Sequence, residues 1–341
     1  MSLRVSEEIK AGVGLPRAGR LATEVCSIGT DDCLVIIIGF PNTQLLYEMS
    51  CPDCFSGTLH TGTPTGTVTT LHGLPTYVAE PEAGKKPKGI IVFIPDVFGW
   101  EFPNNRLLAD AYAKKGDFLV YLPDFMAGNS LHKSTIDTVD ELKKPQSWLK
   151  TIFYKPVWFF QVLFRAIPFF ITNREANFKP RVFNFISALR TNPPPFPTNN
   201  LKIGAAGFCW GGYYTVLLCQ NAPSSRIARH SSQTSSEGIQ PLIDCGYTAH
   251  PSMLTIPKDL EPIELPICVS IGEEDMQMTA PNVLIMKEVL EVKKKGDHEV
   301  NIIPGATHGF AVRLDPKDKH QVECAEKAEV QAIEWFTKHF T

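Results

Sequence analysis

The sequence predicts an α/β protein with a doubly wound, mostly parallel β-sheet. Continuous apolar runs at residues 89–94 and 118–122 are typical of strands that are covered on both faces. Helix-like segments with one apolar face separate such runs along the chain. Strands that alternate with helices in this way form a parallel sheet with helices on both faces.

The first strands are an exception, because they form a predicted hairpin. Residues 66–71 and 74–79 alternate in polarity on either side of His72-Gly73, which predicts an antiparallel edge of the sheet. Further strands are predicted at 89–94, 118–122, 201–203, 242–247, 266–270 and 300–303, and helices at 104–115, 181–190, 213–218, 281–294 and 322–340.

Residues 125–200 form the least regular segment and are rich in aromatic residues. Helical periodicity runs over 156–166, and Pro168 is expected to end that helix. Arg165 and Pro168 interrupt the apolar run, so no stable membrane span is expected. The segment is either a pair of packing helices or a cap-like insertion that shapes the substrate pocket, with contact to a membrane surface as a third interpretation. A cap is favoured because long insertions in compact domains are often functional lids.

The glycine-rich turn at residues 204–212 carries the main catalytic motif, Gly207-x-Cys209-x-Gly211. A strand, this turn and a helix form the nucleophile elbow of the α/β-hydrolase fold, here with Cys in place of Ser. Small residues on both sides of the nucleophile let strand and helix approach closely, and the helix N-terminus favours a thiolate. The alternative is an inert buried thiol beside a glycine turn.

Candidate partners of Cys209 follow in the chain order that this fold uses. Asp275 and His308 each lie in a loop directly after a predicted strand, and the order nucleophile, acid, histidine is that of α/β-hydrolases. Cys209 would attack a carbonyl carbon, His308 would hold the proton, and Asp275 would orient the imidazole. Glu273 and Glu274 remain rival candidates for the acid.

Three motifs together resemble the dienelactone hydrolase (carboxymethylenebutenolidase) family, in its fungal branch. They are Phe208-Cys209-Trp210-Gly211-Gly212, Ile94-Pro95-Asp96-Val97-Phe98-Gly99 and Thr307-His308-Gly309-Phe310. The resemblance covers about residues 49–341. It implies a cofactor-independent hydrolase that opens an ester or lactone through a thioester acyl-enzyme, with a small-molecule substrate as its partner.

An oxyanion formed beside Cys209 needs two N–H donors. One is expected from Trp210, the residue after the nucleophile, and the other from Val97, in the loop after the strand ending at Ile94. The resembled family usually carries a Glu before that donor, which pairs with the resting thiol. Asp96 takes its place here and is one methylene shorter. The alternative role for Asp96 is that of a carboxylate that caps the turn.

Other residues near the motifs indicate whether the substrate carries a carboxylate. Bacterial members of the resembled family grip a substrate carboxylate with two arginines. Arg313 lies one position beyond the family spacing of one of them, and residues 125–129 contain no arginine where the other would be. The sequence therefore favours a more apolar ester or lactone. His250 ends a predicted strand, so it either contacts the substrate or has a supporting structural role.

Composition indicates which classes of partner the protein lacks and in which cellular compartment it is expected. A net charge of −3 provides no basic stripe for nucleic acid. The nine cysteines are odd in number and Cys209 needs a free thiol, so a reducing, cytoplasmic location is expected rather than a disulfide framework. Cys51 and Cys54 form a lone CxxC pair. No second pair or suitably spaced histidine indicates zinc, so no metal is expected and an incidental or structural role is favoured.

Residues 1–48 are interpreted as an N-terminal extension, non-native or disordered, with Met49 as the true start. The domain from 49 to 341 is expected to be a monomer or homodimer. Two alternatives to the simple ester or lactone hydrolase remain open. One is a secondary-metabolism tailoring hydrolase acting on a polyketide lactone or anhydride. The other is a non-catalytic ligand-binding protein with this fold.

Overall fold

A computed structural model describes most of the chain after residue 51. The described residues are 52–55, 57–58, 60–233, 238–293 and 296–341. They belong to one unit of the chain, residues 40–341. The predicted extension, its proposed start Met49 and Cys51 lie outside the described residues.

The eight predicted strands follow one another in the predicted order, and two short strands at 227–228 and 239–240 were not predicted. The strands are β1 (Thr67–Leu71), β2 (Leu74–Ala79), β3 (Ile90–Ile94), β4 (Leu119–Pro123), β5 (Ile203–Phe208), β6 (Ile227–Ala228), β7 (Ile239–Gln240), β8 (Cys245–Ala249), β9 (Ile267–Gly272) and β10 (His298–Ile303). Within the described residues, eight of them form one sheet in the order β1-β2-β4-β3-β5-β8-β9-β10. β1 and β2 are antiparallel at one edge, and the other six strands are parallel. The predicted mostly parallel sheet is therefore confirmed.

The helices flank this sheet and connect its parallel strands. They are α1 (Pro103–Gly116), α2 (Ser134–Lys143), α3 (Trp148–Thr172), α4 (Glu175–Thr191), α5 (Trp210–Cys219), α6 (Ala280–Lys287) and α7 (Lys319–Phe340). Short 3-10 turns lie at Pro52–Phe55 and Pro223–Ser225, and a π-helical turn at Glu288–Lys293 continues α6.

Strand β5 shows how helices come to cover both faces of the sheet. All of its residues are buried. A Cβ at Gly204 would collide with Phe336 of α7, whereas a Cβ at Gly207 would collide with Thr215 of α5. Because successive strand residues point to opposite faces, these two glycines admit helices on opposite sides. This arrangement is the double winding that the alternation of strands and helices predicted.

The aromatic insertion differs from its prediction at Pro168. α3 does not stop there but runs without a break from Trp148 to Thr172, through Pro156 and Pro168. A proline inside a helix costs about 3 kcal/mol. Ala166, Phe169 and Phe170 are buried around Pro168, and their burial offsets that cost.

The two ends of α3 have different surroundings. Near its C-terminus, the rings of Phe169 and Phe170 lie 5.0 and 6.1 Å from the ring of Trp210. The earlier turns expose a row of apolar side chains: Trp148, Leu149, Ile152, Phe153, Tyr154, Val157, Phe160 and Phe164. Even so, none of the helices in the described part of the chain is both long and apolar enough to cross a bilayer.

Candidate active site

Cys209 stands at the turn between β5 and α5, in a strained backbone conformation with φ 49° and ψ −112°. The turn is tight because glycines line it. A Cβ at Gly207 would collide with the carbonyl oxygen of Gly211, and a Cβ at Gly211 with that of Ile94. The spacing of glycines around Cys209 thus builds an elbow that presents the thiol at the carboxyl ends of the parallel strands.

Asp275 and His308 meet beside this elbow. Both oxygens of the Asp275 carboxylate lie 3.0 Å from His308 Nδ1, and both side chains are fully buried. The rival acids Glu273 and Glu274 are exposed, so of the three carboxylates in this loop only Asp275 contacts the imidazole. The contact fixes the ring so that its other nitrogen, Nε2, faces the thiol side of the site.

Ser252 lies between the thiol and the imidazole, a position that the sequence did not predict. Its Oγ is 3.2 Å from Cys209 Sγ and 3.4 Å from His308 Nε2. The backbone N–H of Ser252 also donates to the carbonyl oxygen of Cys209, at 3.1 Å. Ser252 follows β8, the strand next to β5. Adjacent parallel strands end at the same edge of a sheet, and this rule could have pointed to the loop.

Cys54, in the 3-10 turn at Pro52–Phe55, also lies beside Cys209 and His308. The Sγ atoms of Cys54 and Cys209 and a ring nitrogen of His308 lie within 4.8 Å of one another, and all three residues are buried. The Cys54 Sγ is also 4.0 Å from Ser252 Oγ. The CxxC pair was expected to be incidental or structural, without a histidine at zinc spacing. The fold instead brings Cys54 to a histidine and a second thiol that are remote in sequence.

The residues around Cys209 and His308 determine the charge states of these two side chains. A hydrogen bond from Cys54 lowers the pKa of the Cys209 thiol well below its usual value, against the effect of burial and with the help of the positive charge of His308. Burial alone would lower the pKa of His308, but Asp275 and Cys209 raise it well above its usual value. Both shifts favour a thiolate–imidazolium pair, which is the reactive form of a cysteine nucleophile.

Asp96 caps the turn after β3, whereas its predicted pairing with the resting thiol stays a prediction. Its Oδ1 accepts hydrogen bonds from the N–H of Phe98 at 3.2 Å and from Asn105 at 3.0 Å, as a carboxylate that caps a turn does. Its Oδ2 lies 3.6 Å from Arg313 Nη1. Burial raises the pKa of Asp96, Arg313 lowers it, and the negative charge of Cys209 raises it further. Burial is the largest of these effects, so the pKa of Asp96 lies above its ordinary value.

Arg313 is buried and engaged by its surroundings. Its guanidinium donates to the carbonyl oxygen of Cys54 and lies 5.5 Å from the ring centre of Phe98. Gly57 and Gly309 enclose the side chain, since a Cβ at either glycine would collide with it. Arg313 thus ties the segment that carries Cys54 to the loop that carries His308.

His250 lies behind the imidazole of His308, with ring centres 5.0 Å apart in an edge-on arrangement. Neither of its ring nitrogens has a hydrogen-bond partner among the described residues. Burial and the charge of His308 hold the pKa of His250 well below its ordinary value, so the ring is neutral. This packing matches a supporting role for His250 better than direct contact with a substrate.

The expected oxyanion donors lie on the two predicted elements. Trp210 begins α5, so its backbone N–H has no partner in the preceding turn of the helix. Val97 is buried in the loop after β3. A cleft of about 310 Å³ opens beside His308, and its lining is mainly polar. Asp140 of α2 lines the cleft together with Thr307 and Arg313. Asp140 belongs to the segment predicted as a cap-like insertion, and the role of that segment as a cap stays a prediction.

Comparisons with known proteins identify the family of this chain. The model of the dienelactone hydrolase family matches residues 74–340. The chain belongs to the dienelactone hydrolase family. It is accordingly a hydrolase of the class that acts on esters and lactones, with a small-molecule substrate.

Individual relatives are distant but extend over most of the chain. Hydrolase tropI of Talaromyces stipitatus is 26% identical over 86% of this chain and 97% of its own length. Hydrolase pyvD of Aspergillus violaceofuscus is 25% identical over 84% of this chain and 95% of its own. A carboxymethylenebutenolidase homologue of Xenopus tropicalis is 26% identical over 77% of this chain and 86% of its own. A dienelactone hydrolase structure from Klebsiella pneumoniae shares the fold, with a TM-score of 0.52 and 17% identity over 81% of this chain and all of that one.

Proposed function

We propose that this member of the dienelactone hydrolase family opens an ester or lactone by nucleophilic catalysis, using Cys209, His308 and Asp275. One observation carries the proposal. A thiol held on a strained elbow shares a hydroxyl partner, Ser252, with an imidazole that a buried carboxylate orients. Nucleophile, base and orienting acid in mutual contact are the signature of covalent acyl transfer.

The reaction needs only groups of this chain. Cys209 Sγ attacks the carbonyl carbon, and the resulting oxyanion accepts hydrogen bonds from the backbone N–H groups of Trp210 and Val97. Collapse expels the alkoxide, which takes a proton from His308 Nε2 and leaves a thioester on Cys209. In a lactone the alkoxide stays attached to the acyl chain. Water, deprotonated by His308, then attacks the thioester and releases the carboxylic acid and the free thiolate.

Ser252 has a defined place in this sequence. Its hydroxyl stands between Cys209 Sγ and His308 Nε2, so it passes the thiol proton to the imidazole before substrate enters. Asp275 holds the proton on Nδ1 and stabilises the imidazolium that forms.

The experiment measures hydrolysis of aryl acetates, neutral unsaturated lactones and a carboxylated dienelactone by wild type and Cys209→Ala. We expect Cys209→Ala to lose at least about a thousandfold in kcat, and the wild type to give an acyl adduct on Cys209 in a rapid acid quench analysed by mass spectrometry. Cys324→Ser, which removes a thiol on α7, is the control and should retain wild-type turnover. Full activity of Cys209→Ala would refute the proposal. Failure of the folded wild type on every substrate would favour a ligand-binding protein.

The same panel ranks the substrates. Arg313 is engaged by Asp96 and the Cys54 carbonyl, and the loop at 125–129 provides no second arginine. Neutral esters and lactones should therefore have a higher kcat/KM than the carboxylated dienelactone. The fungal hydrolases tropI and pyvD, which the chain matches over most of their length, support testing a polyketide lactone or anhydride as the second candidate substrate.

A further inference from the structure

Four side chains at the elbow surround one point. Their donor atoms are the thiol sulfurs of Cys54 and Cys209, a ring nitrogen of His308 and the hydroxyl of Ser252. The hydroxyl oxygen is 3.2 Å from Cys209 Sγ, 3.4 Å from His308 Nε2 and 4.0 Å from Cys54 Sγ. The other three separations are at most 4.8 Å. The set is therefore a compact cluster of two sulfurs, one nitrogen and one oxygen.

These spacings are those of a tetrahedral metal site. With zinc bonds of about 2.3 Å to sulfur and about 2.0 Å to nitrogen or oxygen, neighbouring ligand atoms lie about 3.3 to 3.8 Å apart. The three separations measured from Ser252 Oγ fall close to that range. Binding of the ion requires the other ligand atoms, which lie within 4.8 Å of one another, to move to the same spacing.

The chemistry of the donors selects a particular class of metal. Two thiolates and one imidazole form a Cys₂His set, which binds zinc and leaves a fourth position for a hydroxyl or water. Soft sulfur ligands disfavour magnesium and calcium. The outer contacts also fit, because Asp275 engages His308 Nδ1 at 3.0 Å and so directs Nε2 to the cluster. A carboxylate behind a metal-binding histidine is the usual second layer of such sites.

We propose that Cys54, Cys209 and His308, with Ser252 at the fourth corner, bind one thiophilic divalent ion such as Zn²⁺. The bound ion occupies the lone pairs of Cys209 Sγ and His308 Nε2. If the proposed function is correct, on which this consequence rests, zinc therefore blocks hydrolysis reversibly and the metal-free protein is the active form.

The test uses the full chain, stripped of metal by a chelator and kept reduced with a phosphine. Co²⁺ is the spectroscopic probe, because coordination by thiolates in a tetrahedral site gives a near-ultraviolet charge-transfer band and visible d–d bands. We expect one equivalent of Co²⁺ to produce these bands and one equivalent of Zn²⁺ to remove them. Cys54→Ser should weaken Zn²⁺ binding about tenfold or more, since even losses outside the first layer of ligands weaken metal sites by that factor.

A second Cys–His pair supplies the matched control. On α7, Cys324 Sγ lies 3.6 Å from His320 Nε2, yet no third ligand joins them among the described residues. Cys324→Ser should leave Zn²⁺ affinity unchanged. His308→Gln serves as a second test of the site, and circular dichroism verifies that each variant is folded. A folded wild type without the charge-transfer band, equal Zn²⁺ affinity in Cys54→Ser, or loss of binding in Cys324→Ser would each overturn the proposal.

Hydrolysis assays then test separately whether bound zinc blocks catalysis. Stoichiometric Zn²⁺ should abolish turnover of an aryl acetate, and excess chelator should restore it. Stimulation of turnover by Zn²⁺ would contradict the blocking role. The cobalt spectrum needs no substrate, so failure of the proposed hydrolytic function leaves the metal site testable, and failure of the metal site leaves hydrolysis intact.

Discussion

Each end of the parallel strands holds an arginine–aspartate pair with a buried arginine, and the two aspartates differ in how completely their oxygens are hydrogen-bonded. At the amino ends, Arg190 donates through Nε to the carbonyl oxygen of Leu242 at 2.8 Å, through Nη1 to that of Leu201 at 2.7 Å, and through Nη2 to Asp244 at 2.6 Å. Asp244 also accepts from the N–H of Ile203 at 2.8 Å. This pair joins α4 to the starts of β5 and β8.

At the carboxyl ends, Asp96 and Arg313 approach only to 3.6 Å. Asp96 Oδ2 has no hydrogen-bond partner among the described residues, although Oδ1 is fully engaged in its turn. A buried polar atom without a hydrogen bond destabilises the fold unless another role retains it. We propose that the pair at the amino ends holds strands together, whereas the pair at the carboxyl ends adjusts the charge around the thiol.

The largest effect on activity is expected at the carboxyl ends, from Asp275→Asn. An asparagine amide facing Nδ1 stabilises the wrong tautomer of His308, so kcat should fall about a thousandfold or more, with a smaller change in the free energy of unfolding. Steady-state kinetics and urea denaturation measure the two quantities. Glu274→Gln changes an exposed acid in the same loop and should keep wild-type kcat. An equal loss in both variants would contradict the assignment of the acid to Asp275.

The largest effect on stability is expected at the amino ends, from Arg190→Met. It leaves Asp244 and two strand carbonyls buried with fewer donors, so the free energy of unfolding should fall by about 3 kcal/mol. Well below the unfolding transition, kcat should remain close to that of wild type. The control is Arg226→Met, whose pair with Glu264 is exposed and is worth at most about 1 kcal/mol. Similar losses in the two variants would show that the Arg190–Asp244 pair contributes no more to the free energy of unfolding than an exposed pair does.

Acid should weaken the pair at the amino ends. Burial raises the pKa of Asp244, but Arg190 and Arg229 outweigh that effect and leave it lowered. A carboxylate with a lowered pKa contributes stability above the pKa of the unfolded chain, about 3.9, and that contribution disappears as the pH falls through the folded value. Between pH 6 and pH 3, the free energy of unfolding should therefore fall less in Asp244→Asn than in wild type. Parallel pH dependences from urea titrations would contradict this account.

Local sequence rules predicted the turns and loops whose structure depends on neighbouring residues in the chain. The glycines at 207 and 211 predicted the elbow because close approach of strand and helix requires them there, and the loop order predicted where Asp275 and His308 lie. The rule that proline ends a helix was wrong at Pro168, where burial of Phe169 and Phe170 outweighs a lost backbone hydrogen bond.

Cys54 and Ser252 could not be predicted in the same way. Neither belongs to a motif that contains the nucleophile, and each reaches Cys209 only through the packing of a distant segment. Arg313 provides that packing for Cys54, through a hydrogen bond to its carbonyl oxygen. For Ser252 it is the pairing of β5 with β8 that places the two loop ends together. Such contacts follow from tertiary structure and leave no periodic signal in the sequence.

The smallest effect is expected from Asp96→Asn. This variant tests whether the two arginine–aspartate pairs have different roles. The asparagine keeps an oxygen to accept from Phe98 and Asn105, so the free energy of unfolding should change less than in Arg190→Met. Removing the negative charge, which repels the thiolate, should shift the alkylation of Cys209 by iodoacetamide to lower pH.

Asp124 provides the matched control for that shift. It caps the turn after β4 as Asp96 caps the turn after β3, through hydrogen bonds from the N–H groups of Met126 and Gly128. Asp124→Asn removes an equivalent charge without touching the thiol and should leave the alkylation profile in place. If both variants shift the profile equally, the effect belongs to the net charge of the molecule. If only Asp96→Asn shifts it, the incompletely satisfied pair is retained because its charge acts on Cys209.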